Sequence, residues 1–239
     1  MMAPAASTPL AESLAEVRQR LADALSAAGR PATDARLLAV SKTKPASLIR
    51  DAWHLGQREF GENYVQEALN KRAELADLDE IVWHFIGPLQ SNKTREVAEH
   101  FAWVHSVDRE KIARRLNDQR PEALPPLEIC LQVNISAEPS KSGASLAELP
   151  ALAEAVLTMP RLRLRGLMAI PAPSEGSDAQ REPFARLREA LEALQERFPE
   201  APLDTLSMGM TGDLEAAVQE GATLVRVGTA IFGERHSPR

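Results

Sequence analysis

The chain has 239 residues, of which 44% are hydrophobic and 26% charged, the balance of an ordinary globular protein. That length suits one large barrel or two small domains. The formal net charge of −6 argues against a nucleic-acid-binding surface. A single cysteine, Cys130, excludes an intrachain disulfide and a cysteine-based zinc site, and its apolar neighbours predict a buried, inert thiol.

The first residues, MMAPAASTPL, have no basic start and no apolar stretch, so we do not expect them to form a signal peptide. No apolar run approaches the length needed to span a membrane. We therefore expect a cytoplasmic protein without membrane contact. Residues 1–7 are expected to form a disordered tail, and residues 8–239 a single domain.

Residues 8–28 predict an N-terminal helix, because leucine and valine recur at helical spacing until Gly29 and Pro31 end the pattern. Eight strand-like runs follow, separated by amphipathic stretches. The runs are residues 37–42, 59–63, 81–87, 103–108, 127–134, 162–170, 205–209 and 223–230. Such alternation is typical of parallel βαβ units, and eight of them at this length predict a closed (β/α)8 TIM barrel. The rival architecture is a doubly wound open sheet, but its glycine-rich signature is absent from LLAVSKTKP after the first strand.

Barrel sites form at the C-terminal ends of the strands, so polar residues there are the candidates. They are Lys42, Asn63, His84, Ser106, Asp108, Asn134, Ser207, Arg226 and Thr229. These residues contain no histidine pair at metal spacing and no G-x-S-x-G elbow. Lys42 shares a strand face with Leu38 and Val40, and desolvation there would favour the neutral amine that condenses with a carbonyl. The alternative is a rim lysine paired with a carboxylate.

The other lysines are weaker candidates for that chemistry. Lys71 and Lys111 fall on predicted helices, where a solvated face is expected. Lys44 lies beyond the strand, either solvated or as a second positive charge near the site. Lys93 and Lys141 lie in loops on the same rim and could bind an anion.

The last two βα units, SMGMTGD and RVGTAIFGE, carry the features of a phosphate site. Glycines there allow close backbone approach, and Ser207, Thr211 and Thr229 add hydroxyl donors next to Gly228. A phosphate-bearing ligand together with a barrel lysine indicates pyridoxal 5′-phosphate (PLP) or a Schiff-base aldolase. Arg226 favours PLP, since PLP proteins place an Asp or Arg against the pyridine nitrogen. An ordinary salt-bridged arginine remains the alternative.

Eight segments in order resemble the PLP homeostasis protein family, the YggS-like group related to the N-terminal domain of alanine racemase. They are LLAVSKTKP, FGENYVQEALNK, WHFIGPLQSNK, VHSVD, QVNIS with KSG, RGLMAIP, LSMGMTGD and VRVGTAIFGER. The resemblance covers about residues 37–235 and implies a fold-type III PLP-binding barrel.

By motif match, the resemblance implies that Lys42 is the Schiff-base lysine and that Asn63 contacts the cofactor. It also implies that Arg226 faces the pyridine nitrogen, and that Ser207, Gly228 and Thr229 form the phosphate cup. The family usually has MGMS-x-D where this chain has MGMTGD, so the resemblance implies a phosphate contact at Thr211, whose extra methyl group departs from the family's serine and needs space.

Alanine racemases use a second base, a tyrosine from another domain. The only tyrosine here, Tyr64, is expected to pack under the next helix. We therefore expect a protein that buffers or delivers PLP, with PLP-dependent apo-enzymes as partners, no catalytic residue, no metal and a monomeric state. The alternatives are a low-turnover amino-acid racemase and, more distantly, a Schiff-base aldolase.

Overall fold

The computed structural model describes residues 8–139 and 142–234, and eight parallel strands in it close a barrel in chain order. The strands are β1 (Arg36–Val40), β2 (Glu59–Glu62), β3 (Val82–Phe85), β4 (Trp103–Val107), β5 (Leu127–Gln132), β6 (Leu162–Met168), β7 (Thr205–Ser207) and β8 (Leu224–Val227). Seven of them lie inside their predicted runs, and β1 begins one residue before its run, so the expected (β/α)8 barrel is confirmed.

Helices cover the outside of the barrel. They are α1 (Thr8–Ala27), α2 (Ala46–His54), α3 (Val65–Glu74), α4 (Thr94–His100), α5 (Glu110–Gln119), α6 (Leu149–Leu157), α7 (Ser177–Arg197), α8 (Leu214–Gln219) and α9 (Thr229–Phe232). Within the described ranges, none of them has the combined length and apolar character that crossing a membrane requires.

The extra N-terminal helix α1 is confirmed, and it packs against α8 and α9, the helices that follow the last two strands. Ser13 Oγ donates to the carbonyl of Ile231 in α9 at 2.7 Å, and Arg20 forms an ion pair with Glu215 in α8. The predicted tail, residues 1–7, lies outside the described residues.

The core has an outer apolar layer and a polar centre. In β1, Leu37 and Ala39 pack into the large apolar cluster shared with the helices. Inside the barrel, His105 of β4 and Ser207 of β7 form a hydrogen bond of 2.7 Å. Since β4 and β7 are not neighbours in the sheet, that bond crosses the barrel interior.

Several predicted strand runs extend past the observed strands at their C-terminal ends. β1 ends at Val40, so Lys42 lies in the following turn rather than on the strand itself. Likewise β8 ends at Val227, and Thr229 begins α9. The polar candidates therefore lie on the loops above the barrel, where side chains can reach a ligand.

Candidate functional site

The turn that carries Lys42 is held from both sides. The carbonyl of Ser41 accepts a hydrogen bond from Lys71 Nζ at 2.7 Å, and the amide of Thr43 donates to Glu67 Oε1 at 2.5 Å. Thr43 has a φ of 65°, a left-handed conformation that a β-branched residue rarely takes. The position of half-buried Lys42 therefore depends on α3 as well as on β1.

A buried ion pair lies beneath this turn. Lys71 Nζ is 2.7 Å from Glu62 Oε1 and 2.8 Å from Glu67 Oε1. Glu62 is fully buried and also accepts a hydrogen bond from Ser41 Oγ at 3.0 Å. Burial raises the pKa of Glu62, although the charge of Lys71 opposes that shift. The expectation of a solvated Lys71 is thus wrong: the side chain is 5% exposed because two carboxylates and a carbonyl satisfy it there.

Asn63 lies immediately after β2, next to the loop that follows β3. Gly87 in that loop comes so close that a Cβ there would lie 2.4 Å from the carbonyl oxygen of Asn63. The Oδ1 atom of Asn63 is buried and has no hydrogen-bond partner within the described structure, and the same holds for Ser106 Oγ in β4. Unsatisfied buried acceptors are costly, so these two atoms at the strand ends indicate places where a ligand completes the hydrogen bonding.

The loop after β7 has a shape that requires glycine. Gly209 has a φ of 100°, and a Cβ there would lie 2.6 Å from Ala217 Cβ in α8. Within the loop the amide of Met210 donates to Asp213 Oδ1 at 2.7 Å. Thr211 lies half-buried between these two residues.

The loop after β8 approaches β1 closely. A Cβ on Gly228 would lie 3.2 Å from the carbonyl oxygen of Val40, two residues before Lys42. Thr229 follows as an exposed residue at the start of α9. The structure therefore brings the predicted phosphate residues of β8 next to the chain that carries the predicted Schiff-base lysine.

Arg226 lies inside the barrel, fully enclosed. Its Nη1 donates to Ser207 Oγ at 2.7 Å and its Nη2 to the carbonyl of Ala169 at 2.9 Å. Desolvation lowers the pKa of Arg226 to about 10, which leaves the guanidinium charged at neutral pH. Among the described residues Arg226 forms no ion pair, so the alternative of an ordinary salt-bridged arginine is not what this structure contains.

Ser207, the last residue of β7, lies beside Arg226 inside the barrel. Its hydroxyl contacts Arg226 and His105 Nδ1, and the residue is fully buried. In this arrangement the side chain faces the barrel interior, while the amides of the following loop lie nearer the rim. The Ser207 hydroxyl already makes two hydrogen bonds within the barrel, and one of them holds Arg226.

A line of hydrogen bonds continues from Ser207 to the opposite mouth of the barrel. His105 Nε2 lies 2.8 Å from His84 Nδ1, and His84 Nε2 lies 3.2 Å from Glu59 Oε1. Glu59, at the start of β2, also forms a two-bond ion pair with Arg36. His84 was expected at the rim, but it lies within the barrel. His105 and Glu59 were not among the sequence candidates.

The charges along this line follow from burial. Desolvation lowers the pKa of His84, and it lowers the pKa of His105 well below the usual value, so both rings are neutral at pH 7. Burial alone would raise the pKa of Glu59, but hydrogen bonds from His84 and Arg36 outweigh it and lower the pKa to about 2. Glu59 is therefore a carboxylate.

The remaining candidates have structural roles. Cys130 is fully buried and desolvation raises its pKa to about 12, which confirms the inert thiol. Asp108 accepts a hydrogen bond from the amide of Gly143, and the side chain of Asn134 bonds to the backbone of Glu138 within its own loop.

Tyr64 is 48% exposed, so the expectation that it packs under the next helix is wrong. Over the described part of the chain, no cluster of three or more His, Cys, Asp or Glu residues could hold a metal ion.

The site residues fit PLP in their donor chemistry. A lysine on a fixed turn can bind an aldehyde, and a charged arginine can face a ring nitrogen. The unpaired Asn63 Oδ1 is an acceptor for a ligand hydroxyl. Glycine loops after β7 and β8 allow a phosphate to approach the backbone.

The fold and the matched residues define the class of the chain. Residues 13–236 match the family model described as alanine racemase, N-terminal domain. Alanine racemase from Corynebacterium glutamicum superposes with a TM-score of 0.67 at 15% identity, over 94% of this chain and 61% of that one, which reflects the shared barrel alone.

Closer relatives narrow that class. A pyridoxal phosphate homeostasis protein from Pseudomonas aeruginosa is 62% identical over 95% of this chain and 96% of its own length. One from Escherichia coli strain K12 is 55% identical over 95% and 97%. PipY from Synechococcus elongatus PCC7942, solved with PLP bound, is 42% identical with a TM-score of 0.84, over 94% of this chain and 100% of that one. The chain belongs to the pyridoxal phosphate homeostasis protein family.

Proposed function

We propose that this protein binds PLP on Lys42 and serves PLP homeostasis as a reservoir or carrier of the cofactor, with an indirect effect on amino-acid metabolism. The observation that carries this is the buried, unpartnered Asn63 Oδ1 beside the held turn of Lys42. The PLP-bound state of PipY supports the choice of ligand.

Each residue of the site has one role in this proposal. Lys42 attaches the aldehyde carbon, and Asn63 positions the ring through its free oxygen. Gly228, Thr229 and Thr211 hold the phosphate, together with the amides of the loop after β7. Ser207, whose hydroxyl oxygen already accepts a hydrogen bond from Arg226, contributes to the cup through its position at the start of that loop.

Arg226 decides what the bound cofactor can do. Bound PLP supplies an electron-accepting ring, and that property is strongest when the ring nitrogen is protonated. A guanidinium that stays charged at neutral pH donates to the nitrogen and keeps it unprotonated. The chain therefore holds PLP in a form poorly suited to abstracting protons from amino acids.

A carrier agrees with this better than a racemase does. A two-base racemase needs a second proton donor opposite the lysine, and the single tyrosine, Tyr64, lies half-exposed directly after Asn63. Visible absorption distinguishes a PLP-binding protein from a Schiff-base aldolase, because lysine-bound PLP absorbs visible light and an aldolase lysine does not.

The decisive experiment maps the attachment point. Purified protein is loaded with PLP, reduced with borohydride and digested, and the modified peptide is identified by mass spectrometry. We expect the label on Lys42 and its loss in Lys42→Ala, with Lys44→Ala as the matched control that keeps the label. A label on Lys44, Lys93 or Lys141 would overturn the assignment.

A second titration tests the phosphate cup. Thr229→Ala should weaken PLP binding with little effect on pyridoxal, which has no phosphate. A lost hydrogen bond to a charged group is worth about 1.5–3 kcal/mol, or roughly 10- to 150-fold in affinity. An equal loss for the two ligands would mean that Thr229 shapes the pocket without holding phosphate.

The proposal extends to where and with whom PLP is exchanged. We place the protein in the cytoplasm as a monomer that delivers PLP to apo-enzymes. Mixing loaded protein with a PLP-dependent apo-enzyme should restore that enzyme's activity faster than PLP release into buffer allows. Equal rates would remove direct delivery from the proposal, and light scattering decides the oligomeric state.

A further inference from the structure

The hydrogen bonds that cross the barrel from Glu59 to Arg226 can be arranged in one direction only. Glu59 is a carboxylate, so it accepts, and His84 Nε2 must carry the proton that it donates over 3.2 Å. A neutral His84 then has a bare Nδ1, which accepts from His105 Nε2 at 2.8 Å.

The same logic continues upward. A neutral His105 that donates from Nε2 has a bare Nδ1, so Ser207 Oγ donates its proton to it over 2.7 Å. The oxygen of Ser207 is then free to accept, and it accepts from Arg226 Nη1 at 2.7 Å. Every donor along the line finds one acceptor, from the guanidinium down to the carboxylate.

The opposite direction fails at the lower end. If His105 donated from Nδ1 to Ser207, its Nε2 would need a proton from His84 Nδ1. The bare Nε2 of His84 would then face the carboxylate of Glu59, and two acceptors would oppose each other inside the barrel. The ion pair between Glu59 and Arg36 keeps the carboxylate charged and so sets the direction of the whole line.

We propose that Glu59, His84 and His105 are positioning residues for Arg226. They fix the orientation of the Ser207 hydroxyl, which holds one edge of the guanidinium while the carbonyl of Ala169 holds another. Two of the five guanidinium N–H groups are used in these bonds. The direction in which the other three point is therefore fixed by the line of hydrogen bonds that begins at Glu59. The effect on bound PLP rests on the proposed function, whereas the positioning of Arg226 does not.

The first test needs no cofactor. Long-range ¹H–¹⁵N correlation spectra of the full-length protein at pH 7 report which ring nitrogen of each histidine is protonated. We expect His84 and His105 both to be neutral with the proton on Nε2, assigned by the loss of signals in His84→Gln and His105→Gln. A proton on Nδ1 of either ring, or a charged ring, overturns the inference.

The second test follows the line to Arg226 with two matched variants. Glu59→Gln replaces the carboxylate with an amide that can also donate, so the direction is no longer enforced and a fraction of both rings should shift to the Nδ1–H form. The guanidinium ¹⁵N signals of Arg226 should move with them. Glu128→Gln is the control, since Glu128 lies at the same mouth in β5 and pairs with Arg163 and Arg165 outside the line. Unmoved Arg226 signals in Glu59→Gln, or equal movement in the control, would refute the coupling.

The third readout is the visible absorption of PLP bound to these variants. Glu59→Gln should shift the absorption maximum and weaken PLP binding by up to about tenfold, the lower end of the range for one hydrogen bond to a charged group. Glu128→Gln should leave both unchanged. If the wild-type protein binds no PLP, the proposed function fails and the two NMR tests still decide the positioning. If the wild type, Glu59→Gln and Glu128→Gln all bind PLP with identical spectra, the orientation of Arg226 does not affect the cofactor. That result would overturn the part of the inference that concerns bound PLP.

Discussion

Acidification from pH 7 to pH 5 should destabilise the fold through His84 and His105. Both rings are fully buried and neutral in the folded state, because desolvation lowers their pKa values. In the unfolded chain both would titrate near the ordinary value of about 6.5. Below that pH the unfolded state therefore binds protons that the folded state does not, and stability falls as pH falls.

The expected loss is large compared with the stability of a typical domain. A histidine that stays neutral down to pH 5 costs about 1.9 kcal/mol between pH 7 and pH 5, so the pair costs up to about 4 kcal/mol, out of a usual 5–15. Glu59, with a folded pKa of about 2 against 4.5, contributes stability above pH 4.5. That contribution is lost at lower pH still, between about pH 5 and pH 2.

Urea unfolding followed by tryptophan fluorescence at pH 7, 6 and 5 measures this loss. His105→Phe should lose less stability on acidification, because only one buried ring then remains to be protonated on unfolding. His100→Gln is the control, since the His100 side chain is 39% exposed and the full loss should persist. A wild-type free energy of unfolding that is the same at pH 7 and pH 5 would refute the reasoning, because it would mean that the buried rings accept protons without unfolding.

Three further outcomes are expected. Lys71→Ala should lower the free energy of unfolding by about 3–5 kcal/mol, since Glu62 would be left buried without its partner, and urea titration showing less than about 1 kcal/mol would contradict that. Arg226→Glu should change the visible spectrum of bound PLP more than it weakens the retention of PLP. An unchanged spectrum in a folded, PLP-loaded variant would show that Arg226 does not contact the PLP ring. Racemisation of alanine or serine by loaded protein should be negligible in a chiral assay, because a missing acid–base group costs about 10²–10⁴-fold, and turnover near one per second would defeat the carrier function.

The sequence is sufficient to predict the barrel and which polar residues follow its strands. The apolar runs located every strand, since parallel strands buried on both faces are continuous apolar segments. Lys42 and Asn63 lie at the C-terminal mouth as predicted, because each comes at the end of such a run. Ends of strands were placed less well, as at Val40, because a run of strand-forming residues does not indicate where pairing stops.

The polar interior was not predictable from the same patterns. Every residue of β4 is buried, so no alternation marks His105 as inward-facing. Lys71 has the spacing of a solvated helix residue, and only the folded chain brings it under the turn of Lys42 to meet Glu62. The use of the Ser207 hydroxyl depends on a partner 102 positions away, His105, which no local signal identifies.

The pairing of β1 with β8, which places Leu38 opposite Arg226, also orders events in time. Lys42 is synthesised well before Arg226, so a growing chain contains the proposed attachment point long before it contains the rest of the proposed pocket. Cofactor capture should therefore mark the moment at which the last strand joins the first. A chain that stops before β8 would keep Lys42 and its supporting α3, yet lack both Arg226 and the loop that lies against Val40.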